Sequence, residues 1–213
     1  MVVIAEDDSI QIERLELGPF GTNTYIIICQ KTLDSVLIDA PAEANTIIDR
    51  LMGTNPRYIL LTHNHMDHIG ALAELRSRLK IPLAAHALDS GNLPSPPEIL
   101  LNEGNTISVG NLTFKVLHTP GHTSGSLCFK VDRYLISGDT IFPGGPGKTW
   151  SPADFQQLVK SIAEKIISLP DHTQIYPGHG TTTSVEKEKG EFAAFSSRPH
   201  DPNLCGGVLW LSP

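Results

Sequence analysis

The sequence predicts a mixed α/β (α+β) fold in which two β-sheets pack face to face with helices on their outer surfaces. Three observations carry this expectation. Short β-rich runs followed by helical patterns occur twice along the chain. Polar residues of the same kinds recur at the ends of strands: HNHMDH after YILLT, PGHT after FKVLH, GD after YLIS and PGHG after QIY. And 213 residues with 40% hydrophobic content suffice to bury the core of one large domain, 1–213.

The elements follow in order. IQIERLEL alternates apolar and polar residues with period two, TYIIIC is a continuous apolar run, and SVLIDA follows a turn at KTLD, so residues 10–40 read as an antiparallel meander. Residues 42–52 carry apolar positions at helical spacing and stop at Gly53, a natural helix terminator. RYILLTH is then a strand, and 66–79 (MDHIGALAELRSRL) is one amphipathic helix. IPLAAH is a short strand, and three prolines make 91–97 a loop. A second run of strands spans 105–140, interrupted at TPGHT. Residues 152–169 form a helix with Ser151 as N-cap and Pro152 at its first position. TQIYPGHG is the last strand and loop, 184–195 a short charged helix, and the tail RPHDPNLCGGVLWLSP tucks its apolar end against the body.

Composition narrows the function. Sixteen basic against 23 acidic residues give a formal charge of -7, which disfavours a chain-wide grip on nucleic acid. The N-terminus meets acids at once and lacks the basic and apolar regions of a secretory signal, and no segment is apolar enough to span a bilayer. Cys29, Cys128 and Cys205 are an odd number and far apart, and read as free thiols in a reducing cytoplasm.

The histidine-rich stretch LLTHNHMDHIG directs the chemistry. In an extended segment His63 and His65 project to one side, while Asp67 and His68, at the start of a helix, turn toward a neighbouring point, so one segment can serve two adjacent metals. His122, at a Pro-Gly turn, is the natural third ligand beside the first pair, and His179, in a similar turn, beside Asp67 and His68. Asp139, straight after YLISG, can bridge both ions. His86, His118, His172 and His200 are expected to be ordinary core or surface histidines. PGGPGKTW fails as a phosphate loop because Phe142 stands where the motif needs glycine.

HNHMDH at 63–68, followed by PGHT, SGDT and PGHG, resembles the metallo-β-lactamase superfamily with its H-x-H-x-D-H signature, over roughly residues 17–184. The resemblance implies a four-layer αββα metallo-β-lactamase-type sandwich. It implies one metal site from His63, His65 and His122, a second from Asp67, His68 and His179, and Asp139 as the bridge. The cofactors would be two divalent metal ions, zinc first, with iron or manganese open. The reaction implied is hydrolysis of a small acyl substrate by water activated on the metals, with Asp67 also orienting that water. GDTIFPGGPGKTW is similar to the loop of glyoxalase II, the hydroxyacylglutathione hydrolases, where a cation meets the glutathione part of a thioester; Lys148 would be that substrate contact. Trp150 is expected to be a buried structural residue, with an apolar wall of the site as its alternative. The 34 residues after His179 do not match the C-terminal helical domain of full-length glyoxalase II, which puts glutathione itself in question. Alternatives are a mononuclear iron persulfide oxygenase using His63, His122 and Asp139, a lactone or β-lactam hydrolase, and a metal-binding module without activity. The expected partner is a small molecule, with neither nucleic acid nor membrane.

Overall fold

A computed structural model describes residues 2–211. The N-terminal sheet contains β1 (Val2–Glu6), β2 (Ile10–Leu17), β3 (Thr22–Cys29), β4 (Asp34–Ile38), β5 (Asn55–Leu60), β6 (Leu83–His86) and β7 (Ile99–Leu101), in that spatial order. Pairing is antiparallel from β1 to β4 and parallel from β4 to β7. The period-two alternation read in the sequence sorts its side chains. Ile10, Ile12, Tyr25, Ile27, Val36 and Ile38 point inward, and Leu15, Leu17, Ile26, Ile28 and Leu37 point to the opposite face. TYIIIC is apolar throughout because β3 is covered on both faces.

The outer face is covered by α1 (Ala44–Leu51), α2 (Met66–Ile69) and α3 (Leu72–Leu79), whose Ile47, Leu51, Ile69, Leu72 and Leu75 join Leu15, Ile26 and Leu37 in one cluster. The inner face meets a second sheet: β8 (Thr106–Val109), β9 (Leu112–His118), β10 (Leu127–Val131) and β11 (Tyr134–Gly138), then, after the small hairpin of β12 (Ile141–Phe142) and β13 (Gly145–Pro146), β14 (Gln174–Pro177) and β15 (Thr183–Ser184). Phe114, Val116, Phe129 and Ile136 fill the space between the sheets. Helices α4 (Pro152–Lys165) and α5 (Val185–Ser196) cover the far side, with Trp210 from the tail buried among Phe155, Phe192 and Phe195. The layers run helix, sheet, sheet, helix, which is the αββα order.

Several boundaries differ from the sequence reading. The helix expected over 66–79 is broken at Gly70 and Ala71, because Ala40 takes two of its backbone groups, Ala40 N donating to His68 O at 2.8 Å and Ala71 N donating to Ala40 O at 2.9 Å, and the chain runs so close to the carbonyl of Pro41 that only glycine fits at position 70. RYILLTH leaves the sheet after Leu60, drawn out where Thr62 bonds to Asp39. The helix expected over 152–169 ends at Lys165, although Ser151 caps it as read, its Oγ accepting from Asp154 N at 3.2 Å. Two short edge strands, β1 and β7, had no sequence forecast. Cys29, Cys128 and Cys205 are free thiols. Among the described residues no helix is long and apolar enough to cross a membrane.

Candidate metal centre

The site lies where four strands end. The segment after β5 carries His63 and His65 and runs into α2 with Asp67 and His68; the turn after β9 carries His122, the residue after β11 is Asp139, and the turn after β14 carries His179. Strand pairing fixes these ends beside one another, since β11 is hydrogen-bonded to β10 and β14 and β10 to β9. All seven residues singled out in the sequence converge. Their ligand-type atoms form three triads within 4.8 Å: His63, His65 and His122; His63, His68 and Asp139; and Asp67, His68 and His179. His63, His122 and Asp139, the trio of a one-metal reading, fall in no single triad.

Second partners set which ring nitrogen faces the centre. His122 Nδ1 donates to the Lys148 carbonyl at 2.8 Å, His179 Nδ1 to the Phe20 carbonyl at 3.2 Å and His68 Nδ1 to Asp39 Oδ2 at 2.8 Å. Thr62 Oγ1 gives its proton to Asp39 Oδ2 at 2.7 Å and so accepts from His63 Nδ1 at 3.0 Å. These bonds leave the Nε2 atoms of His63, His68, His122 and His179 aimed inward. His65 is turned the other way, with its Nδ1 3.1 Å from His63 Nε2 and 2.9 Å from His122 Nε2. Nitrogen atoms on adjacent corners of a tetrahedron with metal–nitrogen bonds of about 2.0–2.1 Å are spaced by roughly 3.3 Å, close to these separations.

Asp139 stands between the sets. Its Oδ1 is 3.4 Å from His68 Nε2, and its Oδ2 is 3.5 Å from His122 Nε2 and 3.6 Å from His179 Nε2. Oδ1 is buried and makes no hydrogen bond, the condition of an anion waiting for a cation. Asp67 Oδ2 is 3.1 Å from His179 Nε2 and accepts from Thr22 Oγ1 at 3.3 Å. The residues thus fit a pair of divalent ions.

Burial, followed by the neighbouring histidines, holds His63 well below the usual imidazole range; burial also lowers His65 and His122 against the pull of Asp139. For His68 burial acts in the same direction, but the Asp39 and Asp139 carboxylates outweigh it and raise the imidazolium to about 10. Asp139 is lowered: burial opposes its charge, and the nearby His68, followed by the charges of His122 and His179, overcomes that.

Other sequence readings divide. Lys148 is exposed at the rim, its Nζ 5.8 Å over the ring of Trp150. Trp150 is not the buried residue expected: it is 58% exposed and lies against His65 and His122, with ring centroids 5.4 and 5.5 Å apart. The loop turns it outward because Thr149, its neighbour, is the residue tied to Gly206. His118 stays out of every triad, stacked on His86 with centroids 4.0 Å apart. Sequence reasoning missed Asp39, Thr62 and Asp89. Asp39 had one usable signal, a lone acid ending the apolar run SVLI, and it sits at φ 64°, a conformation costly outside glycine and held here by its three bonds.

Relatives share this framework. Haemophilus influenzae hydroxyacylglutathione hydrolase GloC is 30% identical over 201 residues, covering 84% of this chain and 94% of that protein. Among solved structures, TTHA1623 in a di-iron-bound form is 32% identical with a TM-score of 0.71, over 83% of this chain and 96% of that one. ETHE1 from Myxococcus xanthus is 28% identical with a TM-score of 0.79, over 88% and 85%. The model of the metallo-beta-lactamase superfamily matches residues 17–179, a span that opens on the last residue of β2 and closes on His179, and the chain belongs to that superfamily.

Proposed function

We propose that the chain is a two-metal hydrolase of small thioesters, of the hydroxyacylglutathione hydrolase kind. The observation that carries this reading is the pairing of two ligand triads, His63, His65 and His122 beside Asp67, His68 and His179, with Asp139 in reach of both. The name of the Haemophilus influenzae relative supports the substrate class, and the di-iron-bound form of TTHA1623 supports the metal count. Zinc is the first expectation for the ions, with iron and manganese compatible with the same donors.

Two cations held there would lower the pKa of a shared water and polarise an acyl carbonyl. The chain's own residues do the rest. Asp67, steadied by Thr22 Oγ1, accepts a hydrogen bond from the attacking water and points it at the carbonyl carbon. Asp139 holds the two halves of the centre in register. A thiolate leaves without needing a protein acid. Lys148, exposed beside the Trp150 face, offers a cation to a carboxylate on the thiol portion of the substrate.

Metal analysis of the purified chain, joined to an assay with S-D-lactoylglutathione, tests the reading. The expected result is about two metals per chain and release of free thiol. Two metals without cleavage of any thioester would sink it, and so would one iron per chain with oxygen uptake on glutathione persulfide.

A further inference from the structure

Asp89 takes no part in the chemistry above, yet it is 3% exposed and lies in the helical turn Ala87–Asn92 next to the site. Its carboxylate collects three hydrogen bonds from two separate loops. Oδ2 accepts from Asn64 N at 3.1 Å and Thr123 Oγ1 at 2.8 Å, and Oδ1 accepts from Gly125 N at 2.8 Å. Its own carbonyl accepts from Asn64 Nδ2 at 3.2 Å. Asn64 stands between His63 and His65, and Thr123 follows His122. Gly125 approaches so closely that a Cβ there would meet the Asp89 carboxyl carbon at 2.6 Å. The turn is itself seated: His86 Nδ1 accepts from Leu88 N at 3.2 Å, and the His86 ring stacks on His118, at the end of the strand that feeds the His122 turn.

We propose that Asp89 is the positioning residue for one of the two metal sites, holding the loops of His63, His65 and His122 at ligand spacing and leaving the Asp67, His68 and His179 site alone. The assignment rests on the two-metal reading. Its logic is selectivity of contact. Asp89 grips both loops that feed the three-histidine triad, and its bonds reach neither α2 nor the His179 turn. An anion shared by three donors is a stronger tie than three neutral bonds, and such supporting groups typically govern metal affinity by about 10–100-fold.

The test is a double-mutant cycle read by metal affinity. Chelated protein is titrated with zinc against a chromophoric chelator, with cobalt(II) absorption as a second signal for the environment of each site. Asp89→Asn is placed in the wild type, in His179→Ala, where the three-histidine site is retained, and in His122→Ala, where that site is already broken. Binding should weaken by about 10–100-fold at one of two sites in the wild type and equally in His179→Ala, with no change in His122→Ala. Thr123→Val, which removes one of the three donors, should give a smaller loss at the same site and serves where Asp89→Asn does not fold. Equal weakening of both sites, the same loss in His122→Ala, or unchanged affinity in all three backgrounds would overturn the assignment while the two-metal reading stands. A wild-type chain binding a single metal would overturn both.

Discussion

At Gly178 one missing methyl group keeps the two halves of the centre together. Its backbone is pinned from both sides, Gly178 N donating to Gly138 O at 2.9 Å and Gly178 O accepting from Asn23 N at 2.7 Å. A Cβ there would overlap Asp139 Oδ1 and come within 2.7 Å of His68 Cε1. Gly178→Ala is therefore expected to keep the fold, because no apolar core side chain is among the atoms it meets, and to push the Asp139 carboxylate and the His68 ring out of register. A displacement of that kind costs on the order of 100-fold in turnover, read as kcat/KM on a thioester beside an unchanged circular dichroism spectrum. Full activity in this variant would contradict the role given to Asp139. Lys148 acts at the opposite edge and by a weaker force. An exposed ion pair contributes up to about 1 kcal/mol, so Lys148→Ala should raise KM for a carboxylate-bearing thioester by up to about fivefold with kcat little changed. A thioester without a carboxylate should not register the change.

Between residue and fold stands the loop 143–150, which carries Lys148 and Trp150 and is held by elements far away in sequence. Gly144 N donates to Glu188 Oε2 of α5 at 3.1 Å, Gly144 O accepts from Trp210 N at 2.8 Å, and Thr149 and Gly206 exchange two backbone bonds. Glu188 is fully buried, and burial raises its pKa against the bonds from Thr183 and Gly144. Glu188→Ala strands the Gly144 amide and the Thr183 hydroxyl, so a loss of about 1–3 kcal/mol is expected. In a chain of this size that is roughly 2–4 °C of melting temperature per kcal/mol, accompanied by a higher KM as the loop loosens. An unshifted melting curve would rule the anchor out. The tail was legible only as an apolar end that tucks in; its part in bracing this loop was not, since backbone pairing between Thr149 and Gly206 leaves no mark on composition. The same contrast holds elsewhere. β2, β3 and β4 could be read because alternation follows from burial on defined faces. The break at Gly70 could not, because it answers to the backbone of Ala40, which bonds to His68 and Ala71 and which only the folded chain brings near. The seven centre residues stood out as polar groups at strand ends, whereas Asp39 had only its place after SVLI to mark it and Asp89, a single acid in a short helical turn, emerged only through the bonds it accepts.

Across the whole molecule the centre is an electrostatic problem that folding alone leaves open. Asp39, Asp67, Asp89 and Asp139 crowd around it, and among the described residues none forms an ion pair with a lysine or arginine. Without metal, the compensating charge falls on His68, raised to about 10, while His63, His65 and His122 are held neutral by burial. The two groups bias stability in opposite directions about the ordinary histidine value of roughly 6.5. Because the folded His68 keeps its proton, its contribution is complete below that pH and is lost as pH rises toward 10. The folded His63, His65 and His122 resist protons, so their contribution is complete above roughly 6.5 and is lost as pH falls. The chelated protein should then be most stable near pH 6.5. Between there and pH 8 it should lose up to about 1.4 kcal/mol per pH unit, and below pH 6.5 it should fall more steeply as three histidines compete. Metal at the Asp67, His68 and His179 site requires the neutral ring of His68, so loading releases that proton, flattens the alkaline limb and adds binding energy to the folded state. Urea midpoints at pH 5.5, 6.5 and 8 with chelator and with zinc measure this directly. A chelated protein that grows steadily more stable from pH 6.5 to 8 would mean that His68 does not carry the compensating charge.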